Sequence, residues 1–233
     1  MKNVTNFSSS TSYKTYDDGL RKYMTSIFKY MFFALGLTGV VAFVVSNSPQ
    51  LLRFVASFHI IFSLAPLFFV IYFSSKIWTM SPERARNNLW IYSVLMGISL
   101  SFIFLAYSGI SIAKTFLFSA TTFAGMALYG NTTKKDLTSM GSFMIMGLFG
   151  ILIASLVNIF LKSSAIEFAT SILGIIIFTG LTAYDVQRLK ETYNYVGINA
   201  DATEKVAIIG ALNLYMDFIN LFIHLLRFFG ERK

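Results

Sequence analysis

Leu214-Tyr215-Met216-Asp217-Phe218-Ile219-Asn220-Leu221-Phe222 reads as the middle of a lipid-spanning helix with an aspartate inside it. The stretch belongs to a longer apolar segment, 208–229. A carboxylate at that depth costs a few kcal/mol or more, so a helix that carries one gives it a partner or a water-filled path. Around it, Asn213, Asp217, Asn220, His224 and Arg227 recur at spacings of 4, 3, 4 and 3. At ~100° per residue these five positions occupy an arc of about 80° on one helix face. The other positions are almost all Leu, Ile, Phe, Tyr, Met and Ala, so this helix belongs in the middle of a bundle. Polar contacts between membrane helices are worth about 0.6–2 kcal/mol, and the two asparagines fit that role. An ionisable Asp followed by His and Arg on the same face goes beyond it and marks a candidate path.

The rest of the chain has the composition of a membrane protein. Of 233 residues, 55% are apolar, 13% are charged and 25 are Phe, whereas soluble domains carry about 25% charged residues. Charge-free runs cover 30–52, 54–75, 87–113, 115–133, 137–161 and 168–184, each near or above the ~20 residues a helix needs to cross a bilayer. With the Asp217 segment they predict an all-α polytopic membrane protein of seven spans, at about 27–46, 60–78, 88–107, 111–129, 140–161, 166–186 and 206–229, with the C-terminal helix central. None of the runs shows the two-residue alternation of a membrane barrel. Residues 1–25 form a polar tail without the apolar core of a signal peptide, which leaves 26–233 as one seven-helix domain whose first span is an uncleaved insertion signal. The longest links are 47–59 and 187–205; the second is polar, mixed in charge and expected to be partly helical. Pro66 is expected to kink the second span. Gly36/Gly39, Gly97/Ser101, Gly147/Gly150/Ala154 and Gly174/Gly180 are expected to let helices approach closely.

The chain has no cysteine and only two histidines, His59 and His224, which rules out disulfides and gives no zinc pattern. The net charge of +8 raises nucleic acid as a partner, but its distribution points elsewhere. With the N-terminus in the cytoplasm, only Arg53, Lys114, Lys162, Arg227, Arg232 and Lys233 fall at the outer side, and the other thirteen of nineteen Lys and Arg fall inside. That is the positive-inside bias. It implies a lipid bilayer with anionic headgroups and needs no nucleic-acid partner.

A second acid, Asp185, closes the sixth span at Thr182-Ala183-Tyr184-Asp185. Modest helix tilt brings it to the depth of Asp217. Two carboxylates in contact cannot both ionise cheaply, and such a pair exchanges protons as a unit. It would sense pH and, when deprotonated, attract a cation such as Ca2+. The alternative for Asp185 is an interfacial cap paired with Arg188. Phe123-Ala-Gly-Met-Ala-Leu-Tyr129-Gly130 echoes Phe178-Thr-Gly-Leu-Thr-Ala-Tyr184-Asp185, through either a parallel repeat or two helix ends alike in composition. Gly130 stands where Asp185 would be.

At Phe178-Thr-Gly-Leu-Thr-Ala-Tyr-Asp185-Val-Gln-Arg-Leu-Lys190, Ala211-Leu-Asn-Leu-Tyr-Met-Asp217-Phe-Ile-Asn-Leu-Phe-Ile-His-Leu-Leu-Arg-Phe-Phe-Gly230 and Tyr129-Gly-Asn-Thr-Thr-Lys-Lys-Asp-Leu-Thr-Ser-Met-Gly141, the chain resembles the bacterial branch of the Bax inhibitor-1 family. The resemblance covers nearly everything after residue 25. It implies seven helices around a central C-terminal one, a pH-responsive aspartate pair at Asp185 and Asp217, and a calcium leak across a bacterial inner membrane. In bacterial calcium-leak members a basic residue at the end of the second helix latches to the pair. Lys76 is the candidate here, although a lysine cannot reproduce a bidentate guanidinium clamp.

The leading expectation is therefore a pH-gated cation leak with Asp185 and Asp217 as gate and transient ion ligands, Ca2+ as permeant ion and no cofactor. The runner-up is a non-channel modulator that contacts a membrane protease or a stress or cell-death regulator through the tail 1–25 and the link 187–205. An intramembrane aspartyl protease would need Gly-x-Gly-Asp, but Leu214-Tyr215-Met216 fill that space with side chains, so no enzyme is expected.

Overall fold

A computed structural model describes residues 4–196 and 199–233, with side chains from Asp18 onward. Helix α1 is Val4–Asn47, α2 Pro49–Ser57, α3 His59–Lys76, α4 Pro82–Leu100, α5 Ile103–Ala106, α6 Gly109–Thr132, α7 Thr138–Leu161, α8 Ser164–Val196 and α9 Ala200–Phe229. A 3-10 turn, Ile77–Thr79, joins α3 to α4. Seven segments are long and apolar enough to cross a membrane, one at each predicted span. The short α2 and α5 fill the turns at one end.

Local chemistry sets the boundaries. Pro49 and Pro82 open α2 and α4 in the first turn, where a missing N–H costs nothing. Ser81, Ser108 and Asn199 cap α4, α6 and α9 by accepting backbone N–H bonds at 3.4, 3.2 and 3.1 Å. Helix α7 ends at Lys162 in the left-handed region, φ 49°. The polar link 187–205 is more helical than expected. Helix α8 runs on to Val196 because Leu189 and Tyr193 remain buried past the membrane segment, with the Tyr193 ring 5.3 Å from Tyr23 of α1. Residues 1–3, the side chains of the tail up to residue 17, and residues 197 and 198 of the link lie outside the described residues.

Helix α9 is the axis. Of its membrane-length window 72% is buried, against 17% for α3 and 6% for α7. Helices α1, α3 and α4 pack together on one side of it, and α6, α7 and α8 on the other. Tyr215, fully buried, ties α9 to the first group. The Thr38 hydroxyl gives its one proton to Ser93 O at 2.9 Å, so Tyr215 Oη donates to Thr38 at 2.8 Å.

Helix α9 is unbroken to Phe229, so the last span does not turn back. Its C-terminal tail is clasped to the α5–α6 turn. Ser108 N donates to Glu231 O at 3.4 Å, Lys233 N to Ala106 O at 3.0 Å and Glu231 N to Ser111 Oγ at 3.0 Å. Arg232 pairs with Glu167 at the start of α8. This C-terminal end of the bundle lies opposite the end that carries Lys76, Lys134, Arg188 and Lys205.

Glycines divide in use. Gly97, Gly147, Gly174 and Gly180 sit where a Cβ would press on a neighbouring helix, as expected, but Gly36, Gly39 and Gly150 face open space. Gly130 lies against the Ala183 carbonyl of α8. The position equivalent to Asp185 in the echo is thus a crossing point of α6 and α8 with no room for a side chain.

Candidate functional site

Helices α8 and α9 run antiparallel and in close register. Gly174 lies against His224 and Leu189 against Gly210, with Asp185 and Asp217 in the same register between them. The two carboxyl groups are within hydrogen-bonding reach of each other. Asp217 is 6% exposed and its Oδ2 has no hydrogen-bond partner among the described residues. Asp185 is half-buried, and the cation acting on it is Arg188, one turn along α8. Asp185 lies inside α8, which runs on to Val196, so it caps no helix end, and it forms no ion pair with Arg188 among the described residues.

The polar stripe of α9 does not share one environment. Asp217 and His224 are buried, Asn213 and Asn220 are half-buried, and Arg227 is exposed at the C-terminal end. Asn220 Nδ2 donates back to Met216 O at 2.9 Å, which satisfies its own helix and makes no bridge. His224 stacks on Phe178 at 5.7 Å and 24°, while its Nδ1 has no partner among the described residues. Gly174 makes the seat: a Cβ there would meet the His224 ring. Toward the C-terminal end, Arg227, Glu167, Thr170, Asn158 and Arg232 border a recess of about 470 Å³. The α8–α9 seam thus has at one end a recess that mixes these charged and polar groups with Tyr107, Leu152, Leu156 and Ile159, an aromatic stack in its middle, and the aspartate pair toward the other end.

Lys76 is not part of this site. It is exposed and makes no ion pair with either aspartate among the described residues. The reason is architectural: α3 packs on α4, at the periphery of its group, rather than on α8 or α9. Groups that the sequence reading missed tie the elements at that end. Glu204 of α9 pairs with Arg86 of α4 at 3.6 Å and accepts from Tyr30 Oη of α1 at 3.3 Å. Lys205 Nζ donates to Trp78 O in the 3-10 turn at 3.4 Å. Spacing gives no signal for such partners, because they come from helices far apart in sequence.

The donor set bears on metal binding. Ca2+ takes six to eight oxygens, and no group of three or more His, Cys, Asp or Glu gathers among the described residues.

A family model described as Inhibitor of apoptosis-promoting Bax1 (Bax1-I) matches residues 20–233, which includes every residue of the α8–α9 seam. The chain belongs to the Bax inhibitor-1 family. Similar proteins include an uncharacterized protein, RP147, of Rickettsia prowazekii, 47% identical over 222 residues, covering 94% of each chain. The inner membrane protein YbhL of Escherichia coli K12 is 42% identical over 219 residues, 92% of this chain and 94% of the relative. An uncharacterized membrane protein of Streptococcus pyogenes is 32% identical over 231 residues, 94% and 96% of the two. This Bax inhibitor-1 protein is a multi-pass membrane protein, built to sit in a lipid bilayer.

Proposed function

We propose that this Bax inhibitor-1 protein is a pH-sensitive cation leak of a bacterial inner membrane, with Ca2+ as the permeant ion and its N-terminus in the cytoplasm. The observation that carries the proposal is the contact of Asp185 with Asp217, whose Oδ2 is buried with no partner among the described residues. Two carboxylates offer acceptors only. One shared proton turns the contact into an O–H···O bond and holds α8 on α9. When that proton leaves, two negative charges face each other in a low-dielectric seam; they repel, and they attract a cation. In this proposal the path follows the seam from the recess at Arg227, past the Phe178–His224 stack, to the pair. The stack is the constriction. The chain's residues bind and release an ion here; no bond-making role is assigned to them.

The test is Ca2+ flux into proteoliposomes across a pH series. Wild-type flux is expected to change with pH, and the Asp185→Asn/Asp217→Asn double variant to lose that dependence. An unchanged pH profile in the double variant would reject the proposal.

The second reading, a modulator of a membrane protease or a stress regulator, draws on the family description, which names an effect on another protein. A stoichiometric partner that co-purifies with the full chain and is lost on deleting residues 1–25, together with absence of flux, would favour it.

A further inference from the structure

We propose that the cleft between α1 and α6 binds one anionic phospholipid of the leaflet at the N-terminal end of the bundle. Its phosphate would sit on Lys29 and an acyl chain would lie along Gly36 and Gly39. Helices α1 and α6 both pack on α9, and a cleft of about 980 Å³ opens between them, with Phe218 of α9 in its lining. It continues toward the N-terminal end as a recess of about 390 Å³ that shares Phe28 and Phe123 and ends at Asn131.

Thr25, Lys29, Phe32, Gly36 and Gly39 are spaced 4, 3, 4 and 3, so one face of α1 forms this wall. Lys29 is the sole charged residue lining either part, is exposed, and takes part in neither ion pair found among the described residues. A Cβ on Gly36 or Gly39 would meet nothing within 4 Å. No helix of this chain therefore needs these two glycines, although glycine inside a helix costs stability.

The cleft has the polarity of an amphiphile: one cation and an amide at one end, aromatic and aliphatic walls beyond. Ten residues separate Lys29 from Gly39, a rise of ~15 Å. One leaflet supplies the same acyl depth, half of the ~30 Å hydrocarbon core. Charge complementarity and depth both favour a lipid over a second protein helix. The proposal stands independently of the aspartate pair.

Spin-labelled lipids test it on the full chain in phosphatidylcholine nanodiscs. Labelled phosphatidylglycerol is expected to be held at the protein about fivefold over labelled phosphatidylcholine, the factor that one basic side chain near a headgroup supplies. Lys29→Gln should bring that ratio to one while the restricted chain persists, and Lys29→Arg should keep it. Gly36→Leu/Gly39→Leu should reduce the restricted fraction for both lipids, and Asp217→Asn should leave the selectivity unchanged. Equal retention of the two lipids by the wild type, or a ratio untouched by Lys29→Gln, overturns the proposal. So does disulfide-linked dimer formation by Gly36→Cys in native membranes, which would put a second copy in the cleft; the cysteine-free chain gives that assay no background.

Discussion

Two glycines on the same kind of helix surface make opposite predictions. Gly174 gives up its side chain so that His224 can lie flat against α8 and stack on Phe178. Gly174→Ala therefore forces the ring or the helix to move and is expected to destabilise by about 1–3 kcal/mol, the usual cost of overpacking. Gly36→Ala meets nothing and should be neutral or stabilising by about 0.5–1 kcal/mol, the helix preference of alanine over glycine. Reversible unfolding of both variants in mixed micelles measures the difference; equal effects would mean that the His224 seat is loose. Phe178 gives a functional counterpart. If its stack with His224 is the constriction, Phe178→Ala should raise Ca2+ flux in proteoliposomes at every pH while leaving the pH midpoint in place, because the aspartates remain. A fall in flux, or a shifted midpoint with unchanged amplitude, would place the constriction elsewhere.

Between helices, the informative contacts are those that hold a turn to a helix it does not adjoin. Gln187 of α8 reaches into the α6–α7 turn, where its Oε1 accepts from Leu137 N and its Nε2 donates to Lys135 O, both at 2.8 Å. Lys190 Nζ adds a bond to Asn131 O at 3.0 Å. Gln187→Ala removes two bonds worth about 0.5–1.5 kcal/mol each and leaves the buried Leu137 amide without its acceptor. Faster hydrogen exchange at 135–138, with α9 amides unchanged, is the expected outcome; protection as in the wild type would show that the turn is held by its own backbone. This scale also separates what was legible in the sequence from what was not. Seven spans and a central last helix follow from charge-free runs and from one narrow polar stripe, because burial in lipid penalises every exception. Asp185 and Asp217 stood out for the same reason. Lys76 did not belong with them, since reach along a sequence says nothing about which side of α4 a helix takes. Gln187, Glu204 and Arg86 look like ordinary polar residues near helix ends, and only the packing of distant helices gives them partners. Spacing alone places the stripe of α9 on one face, but its division into buried, half-buried and exposed positions depends on the neighbours packed around it.

For the whole molecule, the two helix groups meet on α9, and the chain must finish at the end opposite the α6–α7 turn. Three spans, α7, α8 and α9, separate Lys134 from Lys233, and an odd number of crossings puts the two residues on opposite faces of the membrane. The tail's clasp on Ala106, Ser108 and Ser111 holds that end in place, even though Arg227, Arg232 and Lys233 carry charge there against the general bias. Thirteen of nineteen Lys and Arg fall on the N-terminal side of a seven-span arrangement, so the proposed orientation, which follows the positive-inside rule, has Lys134 facing the cytoplasm. The chain has no cysteine, so Lys134→Cys and Lys233→Cys each introduce one thiol on a silent background. In intact spheroplasts, a membrane-impermeant maleimide is expected to label Lys233→Cys and to reach Lys134→Cys only after permeabilisation. Labelling of both before permeabilisation would place an even number of crossings between them, so that α9 would not cross the bilayer. The reverse pattern would keep the seven-span bundle and invert it in the membrane, and the aspartate pair would then sample the pH of the opposite compartment.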